Sequence, residues 1–182
     1  LVRPEENTNE AAKRVLIAKT GFDDVFLDQV QVFSNKGRHP LGRVITVAYY
    51  SLIKIDDDHL AHIQPNNFLR WIPVTEVQSL AFDHLEIMNT CLKKLQKHLR
   101  EQPVGFELLP QKFSLLQLQR LYEVILNIHV DKRNFRRKLK SLGILKDIGE
   151  IQEAVSHRPA RLYTFDHTVY EKKKNAGFNF EL

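Results

Sequence analysis

Between Pro110 and Phe165 the hydrophobic spacing switches between helical and extended periods with little slack, and few folds accept that order. Ser114 is placed to cap a helix in which Leu115, Leu118, Leu121, Tyr122 and Ile125 form one face. Asn127 to Val130 leaves room for a short turn only. Asp131 then caps a second helix, whose Phe135, Leu139 and Leu142 recur at spacings of 4 and 3, and Gly143 ends it. Ile144 to Ile148 and Arg161 to Phe165 read as two short strands, separated by a polar stretch containing Ser156-His-Arg-Pro159.

Helix, turn, helix, strand, loop, strand is the order of a winged helix-turn-helix. Charge makes that reading specific. Of the ten residues 131–140, six are Lys or Arg and only Asp131 is acidic. Once Phe135, Leu139 and Leu142 face inward, Lys132, Arg133, Arg136, Arg137 and Lys140 fall on the outward side, with Asn134 in the first turn. A B-DNA major groove admits one helix; Arg can bond guanine bidentately and Asn can do so for adenine. Arg133, Asn134 and Arg137 are therefore expected to approach bases. Lys132, Arg136 and Lys140 are expected to hold phosphates, together with Ser114, Gln117 and the helix N-termini. His157, Arg158 and Arg161 are candidates for a wing contact. The plainer alternatives are a solvated basic face, or a winged helix that binds protein.

The formal net charge of +5 is unevenly placed. Residues 1–104 hold 13 basic and 13 acidic side chains, whereas residues 105–182 hold 14 and 9. A neutral half joined to a basic half predicts two modules, one of which faces a polyanion. The boundary is expected at Gln102-Pro-Val-Gly105, giving modules over 1–104 and 105–182. Composition is that of an ordinary folded chain, with no apolar run of membrane-spanning length, and the single Cys91 excludes an internal disulfide. A cytoplasmic protein with no membrane partner is the expectation.

In the first module Asn7 or Thr8 can cap a helix ending near Thr20, closed by Gly21. Val25 to Phe33 and Arg43 to Ile53 read as strands around the polar loop Ser34 to Gly42, and Phe68 to Val74 as a third. Thr75 and Asp83 can each start a helix. The second of these spaces Leu85, Met88, Leu92, Leu95 and Leu99 by 3, 4, 3 and 4, as either a packing stripe or a dimer seam. Trp71 is expected in the core. His59, His62 and Asp56 to Asp58 do not make a metal site.

The opening residues resemble a Nudix box, G-x5-E-x7-R-E-U-x-E-E-x-G-U, with U an aliphatic residue. Glu6, Arg14, Leu16, Gly21 and Phe22 are in register, but Val15, Ala18 and Lys19 stand where the family carries three glutamates. In that family the carboxylates hold divalent metal, so the resemblance implies neither a metal site nor catalytic residues here.

A degenerate box ahead of a winged helix resembles the Nudix-related transcriptional regulators of bacteria. Gly105-Phe-Glu-Leu-Leu-Pro110, Phe113-Ser-Leu-Leu-Gln-Leu-Gln-Arg-Leu-Tyr-Glu123 and Asp131-Lys-Arg-Asn-Phe-Arg-Arg-Lys138 carry the likeness. Arg38-His39-Pro40 stands where many members have Arg-Asp-Pro. The resemblance implies an α+β chain: a Nudix-like α/β/α sandwich, expected to be N-terminally incomplete because no strands precede the box, then the winged helix. It implies a ligand-responsive, non-enzymatic regulator without a cofactor, working as a homodimer on a double-stranded DNA operator. The implied effector is an arabinose-like sugar, towards which the second helix leans, or an ADP-ribose-type nucleotide. Arg3, Glu6, Arg14, Arg38 and Arg43 are candidate effector residues, with structural ion pairing as the alternative for each arginine. The competing function is a Nudix hydrolase of ADP-ribose-like diphosphates with an appended nucleic-acid-binding domain.

Overall fold

The computed structural model describes residues 1–23, 25–40, 42–53, 70–153 and 159–177, apart from the side chains of Val104 and Glu107. The chain divides into two compact units, Leu1–Leu95 and Gln96–Leu182. Among the described residues no helix is long and apolar enough to cross a membrane.

The first unit opens with α1, Thr8–Thr20. Its start is fixed by a capping box: the Asn7 side chain accepts from the Asn9 and Glu10 amides, and the Glu10 carboxylate accepts from the Asn7 amide. Gly21 ends it at φ 78°, a left-handed cap that glycine enters without steric cost. Strands β1, Phe26–Phe33, and β2, Thr46–Leu52, pair antiparallel from Phe26 opposite Leu52 to Phe33 opposite Thr46. A bulge interrupts the register between Gln29 and Val32. Ala11, Phe22, Phe33, Ala48, Tyr50 and Leu52 are its buried apolar residues.

Three expectations for this unit are corrected. The described part of the expected strand Phe68 to Val74 is irregular, because Pro73 lacks the donor a ladder needs and a single 3-10 turn, Val74–Glu76, follows it. That turn, which has no side-chain cap, is all that forms where Thr75 was expected to start a helix. Trp71 lies in the same irregular stretch and is 50% exposed. The expected signals at Asp56 to Asp58, His59 and His62 lie outside the described residues.

Helix α2, His84–Glu101, begins beside Asp83. In its apolar stripe Leu99 is fully buried, whereas Leu85, Met88, Leu92 and Leu95 are half-buried. A 3-10 segment follows at Pro103–Leu108. Gly105 is needed there by close approach: a Cβ would sit 2.8 Å from Leu99 Cδ1 and 3.3 Å from Tyr122 Cε2.

The second unit then runs β3 (Phe113–Ser114), α3 (Leu115–Leu126), α4 (Lys132–Leu142), β4 (Leu145–Ile151), β5 (Arg161–Phe165) and α5 (His167–Asn175). The sheet has the order β3-β5-β4, antiparallel throughout, with Phe113 and Asp147 flanking Tyr163. Leu118, Tyr122, Phe135, Leu139 and Ile144 bury the two helices against each other and the sheet. Phe106, itself buried, stacks on Phe165 at 4.3 Å between ring centroids. The result is the winged helix-turn-helix order expected from the spacing, with β3 and α5 added.

Candidate functional site

Two devices fix the pitch of α4. At its start Asp131 caps the helix by accepting from the Asn134 amide at 2.7 Å. At its end Gly143 takes φ 63°, and Lys173 of α5 donates to the Leu142 carbonyl at 2.6 Å, placing a cation at the negative end of the helix dipole. The turn before it is tied down by Glu123. That carboxylate accepts from the Val130 amide at 3.0 Å and from Gln119 Nε2 at 3.2 Å, bonds that hold its pKa below the usual carboxylate range. Gln119, almost wholly buried, also donates to the Val130 carbonyl.

With the inner face committed to Phe135, Leu139 and Leu142, Lys132, Arg133, Asn134, Arg137 and Lys140 are exposed, and Arg136 is half-buried. Asn134 and Arg137 are joined by a 3.0 Å hydrogen bond from the guanidinium to the amide oxygen, which holds both over the first turns. The only acid in α4's first turns, Asp131, is used as the cap. The face is bordered on one side by an open cleft of about 580 Å³ that includes Arg133 and Arg137. A second cleft of about 450 Å³, on the side of the strands, is lined by Lys132, Arg136 and Lys140 with Arg161 and Tyr163 of β5.

Ser114 and Gln117 are placed differently from the phosphate contacts expected of them. Ser114 is 2% exposed, and the two side chains form a capping box: Gln117 Oε1 accepts from the Ser114 amide at 2.8 Å and from its hydroxyl at 3.0 Å. The Ser114 hydroxyl and Gln117 Oε1 are thereby committed to starting α3. Arg161 is exposed on β5 and donates to Asp147 at 3.0 Å. His157 and Arg158 lie outside the described residues. Tyr163, two residues after Arg161 and hence on the same face of the strand, joins the cleft without having been anticipated; the period-2 alternation was the available signal.

The five candidate effector residues fall into separate groups. Glu6 and Arg14 form a fork-to-carboxylate pair, with Arg14 Nε 2.8 Å from Glu6 Oε2, and the Arg3 amide donates to Glu6 at 2.9 Å. The Arg14 guanidinium holds the Glu6 carboxyl down at about 2. Arg38, its side chain 6% exposed, grips Asp83 bidentately at 2.7 and 2.9 Å and Thr46 at 2.6 Å. Beside it is a cleft of about 250 Å³ that Lys36 and Glu86 also line. Arg43 donates to the Ser34 carbonyl. Among the described residues no group of three or more His, Cys, Asp or Glu is gathered as a metal site would need.

Residues 105–165 match the family model of the NrtR DNA-binding winged helix domain. A curated relative, the ADPR responsive transcriptional repressor NtrR of Acinetobacter baylyi, is 32% identical over 178 residues, covering 97% of this chain and 68% of its own. The chain belongs to the Nudix-related transcriptional regulators. Solved structures agree with the fold of this regulator. Shewanella oneidensis NrtR in complex with a 27mer DNA superposes with a TM-score of 0.77 at 25% identity, covering 99% of this chain and 80% of that one. A MutT/nudix family protein from Enterococcus faecalis, 20% identical, shares the fold at a TM-score of 0.59 over 91% of this chain and 72% of its own. The Nudix-related regulator is thus an α+β, DNA-binding protein of transcription, with a Nudix-like fold and a winged helix.

Proposed function

We propose that this regulator holds operator DNA on α4 and releases or tightens it in response to an ADP-ribose-type nucleotide bound by the first unit. The observation that carries the DNA half is the outward face of α4, a helix whose own residues include no acid and whose cap supplies only Asp131. Arg133, Asn134 and Arg137, ordered by their mutual hydrogen bond, are the base readers in this reading. Lys132, Arg136, Lys140 and Arg161 hold the backbone. Fluorescence anisotropy with duplex DNA over a range of salt tests it: binding should weaken steeply with salt, and insensitivity to salt would sink the reading in favour of a protein-binding winged helix.

The nucleotide half is supported by the ligand named for the Acinetobacter relative, which favours ADP-ribose over an arabinose-like sugar. In the Nudix-box register, Val15, Ala18 and Lys19 replace metal-holding carboxylates, and Glu6 is engaged by Arg14, which favours sensing over hydrolysis. A thermal-shift series with ADP-ribose and L-arabinose separates the effectors, because a ligand stabilises the state it binds. Turnover of ADP-ribose with Mg²⁺ or Mn²⁺ that vanishes in Glu6→Gln would establish the hydrolase instead. Linkage is reciprocal, so a ligand that loosens operator binding must itself bind less tightly to the DNA complex. A homodimer on two half-sites is part of this proposal, checked by light scattering with and without DNA.

A further inference from the structure

The two basic ridges of α4 differ in surroundings. Arg133 and Arg137 border only a cleft lined by α4 and its cap, whereas Lys132, Arg136 and Lys140, at successive spacings of four, line that cleft and also face a second one closed on its far side by β5. Among the described residues no carboxylate lines this second cleft. The nearest acid that touches a lining residue is Asp147, which accepts from Arg161 at 3.0 Å and from the Gly149 amide at 3.0 Å. That pair orients the Arg161 guanidinium by one nitrogen and leaves its other donors unspent. Within the cleft wall, Arg136 Nε is buried from solvent and has no hydrogen-bond acceptor among the described residues. A buried N–H of a permanently charged group is costly to leave unsatisfied, so its surroundings are built for an acceptor that arrives from outside.

We propose that this cleft seats one backbone phosphodiester of the duplex, with Arg136 as its principal ligand and Arg161 and Tyr163 gripping from the wing side. The assignment rests on the reading that α4 binds duplex DNA, and it divides the helix into a sequence-blind clamp and a base-reading ridge. A phosphodiester fits the chemistry: its two unbridged oxygens match the guanidinium fork, and a carboxylate-free cleft of about 450 Å³ has room for the flanking sugars. Lys132 and Lys140 stand at the two ends of the cleft's helical wall as point charges, placed for the neighbouring phosphates rather than for the seated one.

The test compares the parent with Arg136→Ala, Arg136→Lys and Tyr163→Phe on two duplexes: one selected by the full chain from a random library, and one of scrambled sequence. Anisotropy is read across about 50 to 200 mM salt, and phosphate-ethylation interference is read on the selected duplex. Arg136→Ala should weaken binding to both duplexes by a similar factor of about tenfold or more. It should also lower the slope of log K against log salt by about 1. One phosphate whose ethylation blocks the parent should cease to matter in that variant. Arg136→Lys should keep the slope and lose part of the affinity, which also shows that the fold survives change at this position. Tyr163→Phe should give a smaller loss, equal on the two duplexes. If the parent binds steeply with salt while Arg136→Ala leaves the slope and every interference position unchanged, the clamp is overturned and the DNA-binding role of α4 stands. A discrimination between the duplexes that collapses in Arg136→Ala would likewise overturn it, by making Arg136 a base reader. If the parent binds neither duplex, the underlying reading falls and the clamp with it.

Discussion

The two units use the same cationic residues for opposite ends. In the first, Arg14 is locked to Glu6, Arg38 to Asp83 and Lys94 to Asp28, and the last two pairs tie together segments distant in sequence. In the second, Arg133, Arg136 and Arg137 stand on one short helix with no carboxylate partner among the described residues. An arginine whose fork is filled by a carboxylate contributes to the fold and has little left to offer a ligand. One whose guanidinium meets no carboxylate adds repulsion to its helix and is retained for something that arrives later. The contrast separates structural from functional cations better than charge density does, because it asks what each guanidinium already touches.

The largest effect should come from the scaffold that presents the free arginines. Leu139 is fully buried beneath α4, and Leu139→Ala removes its packing against the neighbouring core, at an expected cost of about 2–5 kcal/mol. Denaturant unfolding followed by a probe in the second unit should show that loss, with DNA binding lost in proportion to the unfolded fraction. A variant that stays fully stable would mean that α4 is not anchored by its inner stripe.

Next come the free cations themselves. Arg133→Ala and Arg137→Ala should each cost roughly 1–3 kcal/mol in operator binding if they read bases, while the unfolding midpoint stays within experimental error. Arg14→Ala should do the reverse, lowering the midpoint of the first unit and leaving affinity for DNA in the absence of effector unchanged. If Arg137→Ala destabilises the fold as much as Arg14→Ala does, the division between spent and unspent arginines fails.

Caps should matter less and equally in both units. Asn7→Ala and Asp131→Ala each remove a side-chain acceptor from a helix start, for about 1 kcal/mol apiece by thermal or denaturant unfolding. Asp131→Ala should in addition strengthen non-specific DNA binding slightly, since it removes the one acid from a basic face. A weaker non-specific affinity would point to a role for Asp131 in ordering Asn134 that outweighs its charge.

These features differed in how far they could be read ahead of the structure, for a common physical reason. Capping and helical period act over three or four residues, so Asn7, Gly21, Ser114, Asp131, Gly143 and the stripe Phe135, Leu139, Leu142 were legible in the chain. The outward face of α4 followed from that stripe. Pairings across long separations were not legible: β3 is two residues long and exists only because Tyr163 and Leu162 lie opposite it, and Arg38 and Asp83 are 45 residues apart. Helix α5 had a readable start in Asp166, which accepts from the Val169 amide, but its single buried residue, Tyr170, gives no stripe to find. Trp71 and the run after Phe68 show the converse error, in which apolar content alone suggested a strand that Pro73 helps to prevent.

The smallest effect is also the most selective for the first unit. The Glu6 carboxyl, held by Arg14 and the Arg3 amide, is pulled down to about 2 from the 4.5 of an unfolded chain. A carboxyl whose pKa is lowered on folding contributes stability that is fully present above the unfolded value and is lost as pH falls through the folded one. The midpoint of the first unit should therefore decline between about pH 4.5 and pH 2. Asp83, lowered by its bond to Arg38, adds a loss of the same sign over the acid range, so the parent curve alone does not isolate Glu6. The difference curve between the parent and Glu6→Gln does: it should be flat above pH 5, where Glu6 is ionised in both states, and should shrink steadily below it as the parent loses the same interaction. A difference that stays constant down to pH 2 would show that the Glu6–Arg14 pair orders the chain without stabilising it, and would leave packing around Ala11 and Phe22 as what holds α1 in place.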